Sequence, residues 1–216
     1  MEIQNNIIKY NLKNVLFICG TACGGKTTMA KILAAKYGFC LYDMDKMYEQ
    51  HREIAEERYQ PDTCYHMKNF HEQWTRSIEE QARWNINCMK EQTEMVLVDL
   101  MKMSRNKTVV ADVLYSPVYT LNIVDYNQIV FLTVNKSVLR TQYFDRPEKR
   151  DFYEFVMQQP MADVYVNNII KGLELTNDLE QQRMYQSDLK VIERKVEDNR
   201  DGLLQQIEVH FGLCKQ

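Results

Sequence analysis

Short apolar runs recur along the chain, separated by stretches in which apolar residues have helical spacing. Four runs have the length of buried strands, at residues 15–19, 39–42, 108–111 and 129–134, and a weaker fifth occupies residues 189–192. The runs are apolar on both faces, which is typical of a parallel sheet covered by helices. Because strand and helix patterns alternate, the sequence predicts an α/β fold.

Residues 62–116 contain neither proline nor glycine, and their apolar residues recur at helical spacing. A single helix over residues 63–104 would run roughly 60 Å, which is too long for a compact domain of this size. We therefore expect two helices with a break near residues 85–87. We expect the apolar stripe to pack in the core, and its members are Met67, Phe70, Trp74, Ile78, Ala82, Ile86, Met89, Val96, Leu100 and Met103.

Glycine is crowded at one place in the chain. Of the seven glycines, three lie between residues 20 and 25, and none lies between residues 39 and 171. Residues 20–27 read GTACGGKT and match the phosphate-binding pattern GxxxxGK[ST] at every fixed position. An apolar run precedes this segment and an amphipathic helical pattern follows it, as the pattern requires. The sequence therefore predicts a phosphate loop between a strand and a helix.

The residue types of this loop suit ATP with its magnesium ion. Backbone N–H groups of small residues converge on phosphate oxygens, and the start of the following helix adds its own N–H groups and positive dipole end. We expect Lys26 to neutralise charge on the β- and γ-phosphates, Thr27 to ligate Mg²⁺, and Thr28 to support the loop or the α-phosphate. The predicted nucleotide-binding residues here are Gly20, Ala22, Cys23, Gly24, Gly25, Lys26, Thr27 and Thr28.

Four segments in chain order resemble the P-loop kinases related to shikimate, gluconate and nucleoside monophosphate kinases. They are the loop just described, FCLYDMD at 39–45, TVVAD at 108–112 and the arginine-bearing segment at 143–150. The resemblance implies a P-loop NTPase fold with a five-stranded parallel sheet flanked by helices, in one domain over residues 1–216. It also implies a helical acceptor-binding insert at about 46–104 and an arginine-bearing lid at about 140–160.

Asp43 and Asp45 follow the second strand, at the sheet edge where ligands dock in open α/β folds. The pair is similar to the DxD of shikimate-type kinases. That resemblance implies that Asp45 binds the acceptor hydroxyl and accepts its proton, while Asp43 holds a water molecule on Mg²⁺. Orienting the nucleophile is the main requirement of phosphoryl transfer. The alternative is that an aspartate here caps a helix, and both interpretations can hold for one of the pair.

Asp112 ends the third strand and is the nearest counterpart of a Walker B carboxylate. We expect it to support Mg²⁺ directly or through water, and a purely structural role is the alternative. Shikimate kinases carry a glycine-rich substrate loop near this point, whereas this chain reads ADVLYSP at 111–117. That departure argues against shikimate as the substrate.

Basic residues cluster after the fourth strand, and they are Arg140, Arg146, Lys149 and Arg150. A guanidinium directed at the transferring phosphoryl group stabilises the charge on its oxygens, and the lids of the resembling kinases supply such groups. Arg146 and Arg150 are therefore candidate catalytic residues, and a solvated basic patch is the alternative. By resemblance alone, Arg194 would approach the adenine base.

Composition limits the other partners. A formal net charge of -3 does not favour nucleic acid, which normally needs a basic face. No apolar run approaches the roughly 20 residues that span a bilayer, and no N-terminal targeting pattern is present, so we expect a cytoplasmic protein. The six cysteines and four histidines show no metal-binding spacing. We expect reduced thiols, and histidines at the surface or at helix caps.

The combined hypothesis is an ATP-dependent phosphotransferase that moves the γ-phosphoryl group of ATP·Mg²⁺ to a small-molecule acceptor. The acceptor would lie between Asp45 and the helices of residues 46–104, and a sugar-like or cyclitol alcohol, a nucleotide and an antibiotic all remain open. The alternative is a P-loop ATPase or nucleotide-binding module that acts through a protein partner. A degenerate P-loop protein is disfavoured by the intact Lys26 and Thr27, and a nucleic-acid kinase by the lack of a broad basic surface. The sequence leaves the oligomeric state open.

Overall fold

A parallel sheet organises the computed structural model, which describes residues 3–65, 69–114, 116–120, 122–195 and 199–214. Its five strands in the described chain follow the order β2-β3-β1-β4-β5, and each neighbouring pair is parallel. The strands are β1 Val15–Gly20, β2 Cys40–Asp43, β3 Val109–Asp112, β4 Ile129–Val134 and β5 Lys190–Arg194. Each strand lies on one of the apolar runs. The predicted α/β fold with a five-stranded parallel sheet is confirmed.

Helices cover both faces of the sheet. The described part of the chain also contains two 3-10 turns, at Tyr126–Gln128 and Pro147–Lys149. The α-helices of the described residues are α1 Asn5–Asn11, α2 Lys26–Tyr37, α3 Met44–Ile54, α4 Pro61–Tyr65, α5 Phe70–Thr75, α6 Ile78–Met103, α7 Pro117–Thr120, α8 Lys136–Gln142, α9 Arg150–Met157, α10 Ala162–Gln186 and α11 Arg200–His210.

Alternate strand residues face the two layers of the core. Phe17 and Phe131 are fully buried on one face, where the C-terminal part of α6 packs. Ile18 and Val130 are fully buried on the other face, against α2 and α11. Burial on both faces explains why the strands read as continuous apolar runs.

The helical region between β2 and β3 differs from the prediction. The expected break at residues 85–87 is wrong, because α6 runs without interruption from Ile78 to Met103. The chain instead breaks before α6, where Ser77 and Glu80 form a reciprocal capping box that satisfies first-turn N–H groups. Asn85 stays inside the helix and donates a side-chain hydrogen bond to Thr176 on α10 at 3.1 Å. Met67 lies outside the described residues.

Helices α6 and α10 lie against each other and form the frame of a cleft beside the sheet. Gly172 makes the close approach possible, since a Cβ added there would come within 2.8 Å of the Cβ of Gln81. At the far end of this pair, aromatic side chains of α5, α6 and α9 pack on α10. The two long helices are therefore held at a separation that glycine permits.

The histidines differ from one another in their environment. The prediction of a surface or capping position is wrong for His51, which is only 3% exposed. Its Nδ1 lies 2.6 Å from Oε1 of Gln92 and its Nε2 lies 2.8 Å from Oδ2 of Asp99, so it links α3 to α6. His71 is exposed, and His66 lies outside the described residues. All six cysteines are free. No helix in the described ranges is long and apolar enough to cross a membrane.

Candidate active site

The phosphate loop lies between β1 and α2 and packs directly on the backbone of β4. A Cβ on Gly20 would overlap with the carbonyl oxygen of Leu132, and one on Gly24 would lie 2.5 Å from the same atom. The N–H of Thr21 donates to that carbonyl at 3.0 Å. Glycine is therefore required at both positions by close backbone approach, which holds the loop against the end of the sheet.

Three cations surround the middle of this loop. Lys26 Nζ donates to the carbonyl oxygen of Thr21 at 2.9 Å, and Arg194 Nη1 donates to the carbonyl oxygen of Cys23 at 3.2 Å. Burial raises the pKa of the Cys23 thiol, while the positive charges of Arg146, Lys26 and Arg194 act in the opposite direction. All three cations are thus close enough to influence one loop residue. The loop is a region of positive potential suited to phosphate.

Carboxylates lie next to the loop at the ends of β2 and β3. Asp112 is only 7% exposed, and the Thr27 side chain lies close enough for hydrogen bonding to act on its carboxyl. Its pKa is raised chiefly by burial, an effect opposed by Lys26 and by hydrogen bonding from Thr27. Asp45 and Asp43 raise it further, because like charges disfavour ionisation. Asp43 is also the residue that pairs with Asp112 in the register of β2 and β3.

This donor set fits magnesium held jointly with a nucleotide. Magnesium prefers oxygen ligands and usually keeps several waters and substrate phosphates in its coordination shell. Thr27 and Asp112 offer a hydroxyl and a carboxylate close together, and Asp43 is one strand away. Within the described ranges, no three histidine, cysteine, aspartate or glutamate side chains form a group that could hold a metal ion alone. These residues would supply part of a coordination shell, and a bound nucleotide and water would supply the rest.

The aspartates of the DxD segment occupy different positions on α3. Asp43 is at the N-cap position, yet its side chain makes no capping hydrogen bond, and its carboxylate lies 3.8 Å from Lys46 Nζ. Asp45 is exposed in the first turn, where a negative charge is favourable with the helix dipole. Its carboxylate faces a cleft that adjoins the phosphate loop. Capping by the Asp43 side chain, the structural alternative, is absent in this conformation.

The cleft has a volume of about 340 Å³ and continues from the phosphate loop into the helices. Loop residues Gly20, Thr21 and Ala22 form one end. The remaining wall comes from α3, α5, α6, α9, α10 and the segments beside them, and its members include Asp45, Tyr48, Glu49, Trp74, Trp84, Asn85, Cys88, Gln92, Tyr143, Lys149, Phe152, Asn177 and Glu180. The expected core role of Trp74 holds, with 8% exposure, but the same residue also lines the cleft.

Sequence reasoning missed the contribution of α10. Asn177 Oδ1 accepts a hydrogen bond from the N–H of Ala22 in the phosphate loop at 3.2 Å, and Glu180 lines the cleft one turn later. Trp84 and Cys88 on α6 also lie outside the apolar stripe used for prediction. The sequence contains one signal for this face of α10. Polar Asn177 and Glu180 lie three residues apart and therefore share one face of a helix.

The structure separates the basic residues that follow β4. The guanidinium of Arg146 lies 5.0 Å from the ring centre of Tyr143, and its charge acts on Cys23 of the loop. Lys149 lines the cleft. Arg150 instead pairs with Glu154 at 3.0 Å and its side chain is 78% exposed, while Arg140 pairs with Glu174. Only Arg146 of the two candidate arginines is close to the loop in this conformation.

The strand–loop–helix geometry and the strand order define a P-loop nucleotide-binding protein, so the resemblance to P-loop kinases is confirmed at the level of the fold. The chain belongs to the AAA domain family, whose profile matches residues 16–161. No curated protein sequence matches it.

Several solved structures are similar in fold. Shikimate kinase from Bacteroides thetaiotaomicron is 18% identical with a TM-score of 0.47, over 90% of this chain and 96% of that chain. Shikimate kinase from Acinetobacter baumannii in complex with shikimate is 14% identical with a TM-score of 0.47, over 94% and 95%. Deoxyadenosine kinase from M. mycoides with bound dCTP is 12% identical with a TM-score of 0.43, over 93% and 99%. Likeness at this level carries no argument about the acceptor.

Proposed function

We propose that this chain is an ATP-dependent phosphotransferase that moves the γ-phosphoryl group of ATP·Mg²⁺ to a hydroxyl group of a small molecule. The observation that carries the proposal is a shared wall, because residues of the phosphate loop line the same cavity as Asp45. A molecule in this cavity would lie beside the terminal phosphate of a nucleotide on the loop. Phosphoryl transfer depends mainly on such positioning and on electrostatic stabilisation.

The cations around the loop have separate roles in this proposal. Lys26, which donates to the loop carbonyl of Thr21 here, would donate to the β- and γ-phosphates when nucleotide binds. Arg146 would stabilise the charge that spreads over the transferring phosphoryl oxygens. Arg194 contacts the loop backbone at Cys23, and its predicted approach to the adenine base stays a prediction.

The carboxylates have two roles in this proposal, which are magnesium binding and acceptor binding. Thr27 and Asp112 would hold Mg²⁺, with Asp43 acting through a water molecule, and the bound ion would neutralise charge on the phosphate oxygens. Asp45 would accept a hydrogen bond from the acceptor hydroxyl and take its proton late in the reaction. The exposure of Asp45 beside the cleft leaves its oxygens accessible to an acceptor.

Closure over the cleft would keep water away from the phosphates. We assign this role to a lid at about 140–160, because Tyr143, Lys149 and Phe152 of that segment line the cleft. The helical insert at about 46–104 supplies the facing wall through α3, α5 and α6. An open site would favour hydrolysis over transfer, so lid closure and acceptor binding are expected to be coupled.

An ADP-release assay with a panel of acceptors tests the proposal. Wild-type protein with ATP and Mg²⁺ should release ADP at least about 10-fold faster with the correct alcohol than without it, and phosphorylated acceptor should form in equal amount. The Lys26→Met variant, which lacks the phosphate-binding ammonium, is the negative control. ADP release that no acceptor stimulates, but that a protein partner does stimulate, would contradict the proposal and favour an ATPase module.

A further inference from the structure

The cleft beside the phosphate loop offers few cations to an anionic ligand. Its described lining includes the carboxylates of Asp45, Glu49 and Glu180, and one cation, Lys149. The adjoining Arg52 and Arg183 are already paired with Glu49 and Glu180. The nearby cations Lys26 and Arg146 lie at the loop, where phosphate oxygens would engage them. Placing like charges together at a binding site is unfavourable and excludes wrong partners. An acceptor that carries its own carboxylate or phosphate would therefore be disfavoured in this cleft.

Aromatic rings form a large part of the cleft wall. Trp74 and Trp84 meet edge to face with ring centres 6.2 Å apart, and Phe152 lies 6.3 Å from Trp74. All three line the cleft, together with Tyr48 and Tyr143. Aromatic walls favour a planar ring, which gains both apolar burial and ring–ring contact. A polyol, which offers hydroxyl groups in every direction, would leave this wall without a matching surface.

Three buried polar atoms on cleft-lining residues lack a hydrogen-bond partner among the described residues. Oγ1 of Thr21 belongs to the phosphate loop, and the other two lie on the helices. One is Oε2 of Glu180, a residue that is 5% exposed and whose Oε1 accepts from Arg183. The other is Nε1 of Trp74, a residue that is 8% exposed. Buried polar groups in native proteins are nearly always paired, and leaving one unpaired is costly.

The acceptor oxygen of Glu180 lies one helix turn beyond Asn177, which bonds the loop. The donor of Trp74 lies near Asn168, about two to three turns earlier on α10. The two atoms therefore match the two ends of one ligand, with hydroxyl groups at the loop end and a ring with an acceptor nitrogen at the other end.

From these three observations we infer that the acceptor is an uncharged alcohol attached to a planar heteroaromatic ring that carries a hydrogen-bond acceptor, the chemistry of an unphosphorylated nucleoside. The inference rests on the proposed function, which makes this cleft the acceptor site. The cavity of about 340 Å³ lies at the small end of the roughly 300–1,000 Å³ range of ligand sites, so it suits one small molecule.

The corresponding transfer step balances without a further reactant. The alcohol oxygen bonds to the γ-phosphorus of ATP, and the bond from that phosphorus to the β–γ bridging oxygen breaks. ADP leaves with the electron pair of that bond, and the alcohol proton passes to Asp45. The products are ADP and a phosphate monoester of the alcohol.

Tryptophan fluorescence measures acceptor binding separately from catalysis. The chain has two tryptophans, and both line the cleft, so a bound ring should quench the emission. Adenosine, guanosine, cytidine and thymidine are titrated into Lys26→Met protein in parallel with their 5′-monophosphates, shikimate and gluconate. At least one nucleoside should bind at least about 10-fold more tightly than its own monophosphate and than either carboxylate. Tighter binding of the anionic compounds, or the absence of nucleoside binding, would overturn the inference.

A matched pair of variants tests the role of Glu180. Glu180→Gln keeps the size of the side chain but replaces the free acceptor oxygen with an amide, so the preferred nucleoside should bind about 10-fold more weakly. Glu79→Gln, on the exposed first turn of α6 and outside the cleft, should leave binding unchanged. Equal affinities of the two variants would also contradict the inference.

The two proposals fail in different ways. Nucleoside binding without any acceptor-dependent ADP release in wild-type protein would retain the ligand class and refute the phosphotransferase. Acceptor-dependent ADP release with an anionic alcohol, but with no nucleoside, would retain the phosphotransferase and refute the ligand class.

Discussion

Asn177 on α10 accepts a hydrogen bond from the backbone N–H of Ala22 in the phosphate loop, at 3.2 Å. The two residues are distant in sequence, and the bond joins the loop to the helix that carries Glu180. In the proposed function, this bond would connect the nucleotide site at the loop to the acceptor site in the cleft. This geometry leads to the first of five predictions.

Asn177→Leu should weaken ATP binding roughly 5- to 10-fold, because a partly buried loop N–H loses its acceptor and the loop loses one restraint. Affinity is measured with a fluorescent ATP analogue. Asn177→Asp keeps an acceptor oxygen at the same place and should bind ATP within about 2-fold of wild type. Equal affinity of the leucine variant would show that the loop needs no support from α10.

Lys26→Met should abolish ATP turnover while the protein stays folded, since the ammonium contacts the loop carbonyl of Thr21 and solvent, not the apolar core. Turnover is followed by ADP release and folding by circular dichroism. Lys31→Met, at an exposed position on α2, is the matched control and should turn over normally. Normal turnover in a folded Lys26→Met variant would remove the phosphate-binding role from this lysine.

Arg146→Ala should lower kcat by at least about 100-fold with a smaller rise in the KM for ATP, because a cation that meets charge mainly in the transition state acts on kcat. Arg150→Ala is the structural contrast. Its guanidinium pairs with Glu154 and is 78% exposed, so we expect kcat within about 2-fold of wild type. A larger loss of kcat in Arg150→Ala than in Arg146→Ala would mean that the lid rearranges to bring Arg150 to the phosphates.

Asp45→Asn should leave the affinity for ATP·Mg²⁺ nearly unchanged and lower acceptor-dependent transfer by roughly 100-fold or more, the range for loss of a positioned acid–base group. Background ATP hydrolysis should persist, because water needs no acceptor site. Asp43→Asn is the internal comparison and should raise the Mg²⁺ concentration needed for half-maximal rate. Full transfer by Asp45→Asn to an identified acceptor would show that this pair is not a shikimate-like DxD.

Asp112→Asn should raise the melting temperature of the nucleotide-free protein at pH 7. Burial raises the pKa of the Asp112 carboxyl, so the folded state holds its proton more tightly than the unfolded state does. The ionised Asp112 carboxylate therefore lowers the free energy of unfolding by its full amount above the pKa of the folded state. This loss of stability disappears as the pH falls to 3.8, the ordinary pKa of aspartate. Melting curves recorded from pH 7 downward should show a decreasing difference in melting temperature between Asp112→Asn and wild type.

The same variant should need more Mg²⁺ for turnover, since the neutral amide is a weaker magnesium ligand. A melting temperature equal to that of wild type across this pH range would contradict the assignment of burial as the cause. Functional sites commonly retain a destabilising charge of this kind.

Much of the fold could be predicted because its signals are local. Each strand is a short apolar run, and the phosphate loop is a contiguous pattern whose glycines are required by the nearby backbone of β4. Asp43 and Asp112 were placed at strand ends by counting residues along the runs, and parallel pairing then makes them neighbours. The capping box at Ser77 is also a local signal. It marks the true boundary between helices, whereas Asn85 and Asn87 lie inside α6.

The sequence by itself determined the sheet, the phosphate loop and the two strand ends beside it, because spacing and composition over a few residues specify them. Only the tertiary structure decided what surrounds the cleft beside the phosphate loop. Asn177 and Glu180 join the site because Gly172 lets α10 approach α6. Arg146 lies near the loop, whereas Arg150 points to solvent and pairs with Glu154. His51 is buried because α6 places Gln92 and Asp99 on either side of its ring. Such contacts depend on how distant helices pack, and the order of residues along one helix does not encode them locally.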